Sequence, residues 1–499
     1  MKHVIIILPL VFIFQHSISQ NVGIGTTTPF VKLDVRNGSI NTDSVYRITT
    51  QTVLSVAGDN NLMIGRFAGL VNTGSFNTFA GHNAGLTNSS GSFNSFFGRF
   101  AGSANTSGES NSFFGEDVGF GNITGSENSF FGRFAGFANT DASFNSFFGS
   151  SAGQSNTIGT HNSFFGRNAG RSNGFGSSNS FFGEGTGYNN LSGSENSFFG
   201  RTAGFNSTTG VNNSFFGLSA GYNDSIGSSN SFVGRNAGFN TGSGNNNSFL
   251  GEGAGYLNTF GSENVFAGRT SGFNNSTGNS NTAAGFDALS VNTTGSNNTA
   301  IGRNANVSSG VLSNATAIGS NAIVNASNKI RLGNAAVTVI EGQVAYTFPS
   351  DDRFKINVTE TVKGLDFIMK LRPVIYNFQA RRYEAFLLKD KAAETAFASY
   401  NYDASESIRQ SGFIAQEVEK AANETGYDFN GVIIPKTNRE TYSLAYSQFV
   451  VPLVKAMQEQ QEMINVLKTE LELIKTQTRD QQKRYELLLK RIETAETKN

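Results

Sequence analysis

The pentapeptide Asn-Ser-Phe-Phe-Gly begins at residues 94, 111, 128, 145, 162, 179, 196 and 213, at a constant spacing of 17. Variants continue it at 230, 247, 264, 281 and 298, and one 16-residue step joins Asn61 to Asn77. Self-similarity at this period means stacked coils in place of independent domains. A helical solenoid is excluded, because each unit carries two or more glycines and no apolar stripe at helical spacing. The units read as short strands, Asn-Ser-Phe-Phe, separated by Gly-rich turns. Identical residues then recur one above another at the β spacing of about 4.8 Å. Phe stacks on Phe in a dry column, and Asn on Asn in an amide ladder.

Charge supplies an independent check on vertical stacking. Five residues after each repeat Asn the chain reads Arg99, Glu116, Arg133, Ser150, Arg167, Glu184, Arg201, Leu218, Arg235, Glu252, Arg269, Phe286 and Arg303. Arg recurs every 34 residues and Glu every 68, always between two Arg. Stacked coils would sandwich each Glu between two guanidinium groups, whereas facing like charges would destabilise the stack. Glu127, Glu195 and Glu263 also recur at 68, so duplication of a four-coil block accounts for the copying equally well. The alternation within the block favours stacking.

Composition agrees with a repetitive β structure. Of 499 residues, 58 are Gly and 46 Phe, with 15% charged and no Trp or Cys. Such a Phe content and such a low charge do not describe a disordered chain. Absent Cys excludes disulfides, thiolate metal sites and a cysteine nucleophile. Net charge is zero with no basic block, which argues against nucleic acid as a partner.

At the N-terminus, Met1-Lys2-His3 precedes an apolar run from Val4 to Phe14, with Ser17 and Ser19 at −3/−1 spacing. This reads as an export signal cleaved before Gln20 or Asn21. Eleven apolar residues are too few to span about 30 Å of hydrocarbon, so no membrane span is expected once the signal is gone. Residues 22–35, from Val22-Gly23-Ile24 to Leu33-Asp34-Val35, read as a short β-rich cap.

The other end follows a different pattern. From Val450, a positions fall on Val450, Met457, Ile464, Leu471, Thr478, Tyr485 and Ile492, and d positions on Leu453, Gln460, Leu467, Ile474, Gln481 and Leu488. More than 40 residues after Pro452 contain no Gly or Pro, so the segment reads as a coiled coil. The a/d mixture alone does not choose between two and three strands.

Few residues are equipped for chemistry. The Gly-x-Gly runs recur at the turn of every coil, and none continues into a phosphate-binding loop. Only His3, His16, His82 and His161 exist, so neither a Ser-His-Asp triad nor a His-rich metal site is expected in the C-terminal third. No cofactor is implied. Periodic acids such as Glu116, Glu184 and Glu252 read as ladder partners before they read as the paired carboxylates of a glycan-degrading spike. Ser350 and Lys355 remain, at the seam where the repeat gives way to charged, helix-patterned sequence. Ser350-Asp351-Asp352 is a good cap for a helix. A serine can also be activated by a lysine base, provided burial favours the neutral amine.

Two resemblances add to these readings. Asn298-Thr299-Ala300-Ile301-Gly302 and Ala317-Ile318-Gly319-Ser320-Asn321-Ala322 resemble the Ala-Ile-Gly repeats of trimeric autotransporter heads, which are left-handed β-rolls built from three chains. Residues 350–455 resemble the intramolecular chaperone domain at the C-termini of endosialidases and other phage tail spikes and fibres. The matching pieces are Ser350-Asp351-x-Arg353-Phe354-Lys355, Leu371-Arg372-Pro373-Val374-x-Tyr376, Gly412-Phe413-Ile414-Ala415-Gln416-Glu417-Val418 and Leu444-x-Tyr446-x-x-Phe449-x-x-Pro452-Leu453. Residues 380–410 carry no alignable motif. This second resemblance implies a self-cleaving serine-type endopeptidase with Ser350 as nucleophile, Lys355 as general base and the scissile bond at or beside Ser350.

The expected architecture is a mainly β repeat of 17-residue β-roll or β-solenoid coils, trimeric, followed by an α+β chaperone domain and a coiled coil. Its divisions are a signal at 1–19, a cap at 20–60, repeats at 61–335, a junction at 336–349, the chaperone domain at 350–455 and the coiled coil at 456–499. The function expected is that of a secreted or cell-surface homotrimeric fibre whose chaperone sets register and then releases itself at Ser350. The alternative is a trimeric adhesin that keeps its C-terminal foot and never cuts. The expected partner is the chain itself. A surface glycan or protein ligand suits such a fibre, but scaffold repeats name none.

Overall fold

The computed structural model describes residues 22–24, 33–35, 45–48, 51–56, 59–388 and 401–497. The expected export signal lies outside them. The chain divides into two compact units, residues 1–168 and 169–499. The repeats run through both as a β-solenoid of about 16 coils.

In the first unit, Val22–Ile24 pairs in parallel with Leu33–Val35. An antiparallel hairpin, Val45–Ile48 with Gln51–Ser55, then leads by a second antiparallel step to Leu62–Ile64. From there each strand pairs in parallel with the next, through Thr78–Ala80 and Ser95–Phe97 to Ser163–Phe165. Ser95 faces Ser112, Phe96 faces Phe113 and Phe97 faces Phe114. One 17-residue unit is therefore one full coil. In the second unit the same ladder runs from Ser180–Phe182 to Lys329–Leu332.

Strand alternation decides which Phe is inside. The first Phe of each pair, from Phe79 to Phe164 and from Phe181 to Phe266, is fully buried. Neighbouring rings stack with centroids 4.7–4.9 Å apart in the first unit and 4.6–4.9 Å apart in the second. Each contributes about 1.5–3 kcal/mol by burial. The second Phe points outward and forms its own stack, as in Phe97, Phe114, Phe131 and Phe148.

The glycines follow from this packing. Gly102 has φ +55°, and a Cβ there would lie 2.5 Å from the Phe96 ring. Gly98 has φ +138°, and its Cβ would lie 2.0 Å from the carbonyl oxygen of Gly115 in the next coil. The first glycine makes room for the buried ring, and the second lets adjacent coils approach.

Two asparagine columns line the interior. In the column of the repeat motif, the side-chain oxygen of one Asn accepts the backbone N–H of the next: Asn94 Oδ1 from Asn111 N at 2.9 Å, Asn111 Oδ1 from Asn128 N at 3.0 Å. The amide nitrogen reaches a turn carbonyl in its own coil, as Asn94 Nδ2 does to Gly108 O at 2.8 Å. Eleven residues on stands a second column, with Asn122 Nδ2 donating to Asn105 Oδ1 at 2.7 Å and Asn139 Nδ2 to Asn122 Oδ1 at 2.7 Å. Buried amides cost little only when satisfied, and here each bond nets about 1 kcal/mol.

The charge ladder follows the expected alternation. Glu116 lies 2.6 Å from Arg99 Nη2 and 3.1 Å from Arg133 Nε. Glu252 pairs with Arg235 on one side and reaches Arg269 at 4.0 Å on the other. The hydrogen bond from Arg99 holds the Glu116 carboxyl below its ordinary range, and that from Arg235 does the same for Glu252. Where Phe286 takes the place of a Glu, the guanidinium groups of Arg269 and Arg303 sit 5.3 and 5.9 Å from its ring centroid. An aromatic face thus replaces a carboxylate between the same two cations.

After the last coil the second unit carries a small mixed region: helices α1 (Leu365–Ile368), α2 (Ala380–Leu388), α3 (Asp403–Ser407), α4 (Ala415–Glu424) and α5 (Val450–Glu496). Val374–Asn377 pairs antiparallel with Arg409–Gly412. The core gathers Phe367, Val418, Ala421, Ala422, Phe429 and Phe449, flanked by Leu371, Phe413 and Leu444. Helix α5 runs 47 residues, and only Pro452 and Ala456, near its start, are buried. No described helix is long and apolar enough to cross a membrane.

Candidate active site

Between the last coil and α1 the chain carries one short element, the 3₁₀ turn Asp352–Phe354. Asp351 builds it: its Oδ1 accepts the N–H of Arg353 at 2.9 Å, and its Oδ2 pairs with Arg353 Nη2 at 2.7 Å. The side-chain hydrogen bond from Arg353, and then its backbone N–H, hold the Asp351 carboxyl below the ordinary range. The turn folds the chain back, so that Lys355 Nζ donates to Ser350 Oγ at 2.8 Å. The two residues singled out from sequence are thus in direct contact, and both are exposed. Cap and Ser350–Lys355 contact coexist here, since Asp351 serves as the cap and leaves Ser350 Oγ to Lys355.

The apolar residues on either side follow a period of two. Val344, Tyr346 and Phe348 precede the turn, Phe354 ends it, and Ile356 and Val358 follow. All six are between 72 and 84% exposed. Alternation of this kind belongs to strands with one covered face, yet within one chain no face is covered.

The other resemblance motifs build the scaffold behind this segment. Arg372 pairs with Glu417 at 2.5 Å, joining the Leu371–Tyr376 motif to α4. Phe413 N donates to Tyr446 Oη at 3.0 Å, and Phe413 stacks on Phe449 at 5.3 Å, joining α4's approach to the start of α5. Leu365 N donates to Glu459 Oε2 at 2.7 Å, tying α1 to α5.

Residues 350–427 match the family model for the chaperone of endosialidase. The matched span opens on Ser350, includes Lys355 and ends just after α4. The Leu444–Leu453 pieces of the resemblance lie beyond it but pack into the chaperone core through Leu444 and Phe449. No curated protein matches the chain. An endosialidase-type chaperone behind a β-solenoid fits a tail-fibre-like protein.

A cleft of about 560 Å³ in the chaperone region brings Glu360, Asp366, Asp428 and Glu459 together. Glu459 is already committed to the N–H of Leu365, and the cleft lies away from the coils. Among the described residues no group of three His, Asp or Glu is placed to hold a metal ion.

Sequence reasoning missed two features. The second asparagine column was visible as Asn at 88, 105, 122, 139 and 156, again spaced by 17. Glu384 carried no signal: it sits in the motif-free stretch, on α2, and is 2% exposed.

Proposed function

We propose that the protein is an exported homotrimeric fibre whose C-terminal chaperone aligns three chains, sets their register and then cuts the backbone once at Ser350. The problem it solves is slippage, because near-identical coils can pair one repeat out of step at little cost. Starting from a non-repeating end removes that ambiguity. Cleavage afterwards traps the fibre kinetically, since the aligning device is no longer attached through the chain.

The observation that carries this reading is the 2.8 Å contact between Lys355 Nζ and Ser350 Oγ at the opening of the matched segment. In the reaction Lys355, as neutral amine, accepts the Ser350 hydroxyl proton while Oγ attacks the adjacent carbonyl carbon. The proton passes to the leaving amide nitrogen, the C–N bond breaks, and an acyl ester links the fibre to Oγ. Water then hydrolyses that ester, leaving a carboxylate and a free amine. A lysine base requires desolvation, which exposed Lys355 would acquire once neighbouring copies cover the alternating apolar residues around it. The exposed heptad positions of α5 supply the trimer seam.

Expression of the full chain, followed by a denaturing gel and intact mass, tests the proposal. Two fragments dividing at residue 350 are expected, and one intact chain for Ser350→Ala. An uncut wild-type trimer would instead support the permanently footed adhesin, and a Ser350→Ala chain that still cuts would remove the assigned nucleophile.

A further inference from the structure

The last coil departs from the rule that builds all the others. Its strand, Lys329–Leu332, pairs in parallel with Ala315–Ile318, placing Arg331 beside Ala317 and Lys329 beside Ala315. Traced back through the ladder, Ala317 stands over Ala300, Ala283 and Phe266. Arg331 thus occupies the interior position that Phe or Ala fills elsewhere, and ends the apolar column on a cation. Lys329 stands at the position of the asparagine column, after Asn298 and Ala315, and donates to Asn325 Oδ1 at 3.0 Å.

The chaperone region meets this end at two points. At the first, Arg331 Nη2 lies 3.3 Å from Glu384 Oε1 on α2, with the side chains 14 and 2% exposed. Glu384 Oε1 also accepts the N–H of Ala335 at 2.6 Å. Arg331 is steadied by the carbonyls of Gly333 and Ile323, at 3.1 and 3.3 Å, and by the Tyr383 ring at 5.3 Å. At the second, Asn325 Nδ2 donates to the Arg439 carbonyl at 3.0 Å, and Arg439 Nη1 donates to the Ser308 carbonyl at 3.1 Å. Neither point involves residues 336–363, the exposed link that carries Ser350. A cavity of about 220 Å³ beside Arg331 and Tyr383 leaves the seam incompletely packed, so polar contacts carry it.

We propose that the last coil is a single-copy docking seat for the protein's own C-terminal segment, latched through Arg331–Glu384 and Arg439, and that this latch holds segment 350–499 on the fibre end whether or not the backbone at Ser350 is intact. Among the described coils only this one places a cation, 14% exposed, on the core column, so the chaperone reads the end of the solenoid and no other described coil. Severing the chain and releasing the chaperone are then separate events. The mention of cleavage rests on the function proposed above, but the latch does not, and the test keeps them apart.

The full chain carrying Ser350→Ala, with a site-specific protease sequence inserted within 342–346, is cut by the added protease and passed over a sizing column under native conditions. Co-elution of the two pieces is expected. Glu384→Ala is expected to weaken retention by more than about tenfold, since it leaves Arg331 buried without its partner, and Arg439→Ala to weaken it less. Arg331→Glu should part the pieces, and the charge-swapped pair Arg331→Glu/Glu384→Arg should restore co-elution, which separates a broken latch from a misfolded chaperone. Pieces that part with the seat intact, or that stay together equally well in Glu384→Ala and Arg331→Glu, would overturn the proposal. If the unmodified chain fails to cut itself, the functional reading falls while this result stands.

Discussion

Leu289 and Ala283 have exchanged volume. In the preceding coils a buried Phe faces a glycine six residues on, and the Phe266 ring would lie 2.4 Å from a Cβ at Gly272. One coil later Ala283 stands at the Phe position and Leu289 at the glycine position, both fully buried. The backbone is unchanged: Leu289 N reaches Ala305 O at 2.8 Å, as Gly272 N reaches Ala288 O at 2.8 Å, and Leu289 keeps the left-handed φ of 54°. The core is filled from either side of the coil, but not from both. Ala283→Phe alone is therefore expected to overpack the coil and cost about 1–3 kcal/mol. Leu289→Gly alone should leave a cavity and cost a similar amount or more. The double variant should recover most of both losses, read as a coupling energy in urea unfolding. Additive losses would mean that the two side chains do not share one space.

Asp224 interrupts the second asparagine column and is fully buried. Its Oδ1 accepts the N–H of Gly227 at 3.0 Å and its Oδ2 accepts from Asn230 Nδ2 at 3.1 Å. Burial pushes its carboxyl well above the ordinary range, against the pull of those two donors. On either side the hydroxyls of Ser207 and Thr241 make no hydrogen bond among the described residues. A carboxyl whose folded pKa is raised favours folding in its protonated form. That contribution is complete below the unfolded value of about 3.9 and is lost as pH rises through the folded value. Asp224→Asn keeps a neutral group at every pH, so its advantage over wild type should grow from near zero at pH 4 to about 1–3 kcal/mol at pH 8. Paired urea titrations at the two pH values measure it, and an equal difference at both would show that Asp224 does not titrate with folding.

The legibility of the chain follows its periodicity. Stacking and the Arg–Glu–Arg alternation were readable because a parallel in-register ladder turns sequence spacing directly into spatial neighbours, whereas that one 17-residue unit makes one full coil came from the strand register. Arg331 was not, because the coil above it, Ala315 to Asn328, has 14 residues instead of 17. Counting by 17 misses the alignment, and an arginine in a polar turn region looks solvated. Phe286 was legible as a departure from charge but not as a cation–π partner, since ring placement depends on the neighbouring coils. In the C-terminal region the motif residues proved to be core and ion-pair positions, such as Phe413, Phe449 and Arg372–Glu417. Glu384 escaped because its partner is on the solenoid, 53 residues away in sequence.

Helix α5 carries a row of exposed apolar residues beyond its buried start. Ile464, Leu467, Leu471 and Ile474 are all exposed along it, at a and d spacing. Introducing a carboxylate at the centre of such a seam desolvates a charge that has no partner. Leu467→Asp/Leu471→Asp is accordingly expected to shift the full chain from trimer to monomer in sedimentation velocity at micromolar concentration. Aspartates at Asn465 and Thr469, the outward b and f positions of the same heptad, should leave it trimeric. Equal behaviour of the two pairs would remove α5 from assembly.

Lysine and arginine can both donate to Ser350 Oγ, but arginine stays protonated and cannot serve as a base. Lys355→Arg therefore preserves a positive donor for Oγ, which Lys355 Nζ now supplies at 2.8 Å, while removing the base assigned to Lys355 in the proposed reaction. Losing a positioned base slows proton transfer by about 10²–10⁴-fold. The expected result is an assembled trimer that stays uncut over a time in which the wild type is fully divided, with Lys355→Ala behaving alike. Denaturing gels of timed samples, with sedimentation of the same samples to verify assembly, separate a chemical defect from a folding one. A Lys355→Arg chain that cuts at the wild-type rate would show that the proton leaves Ser350 by another route.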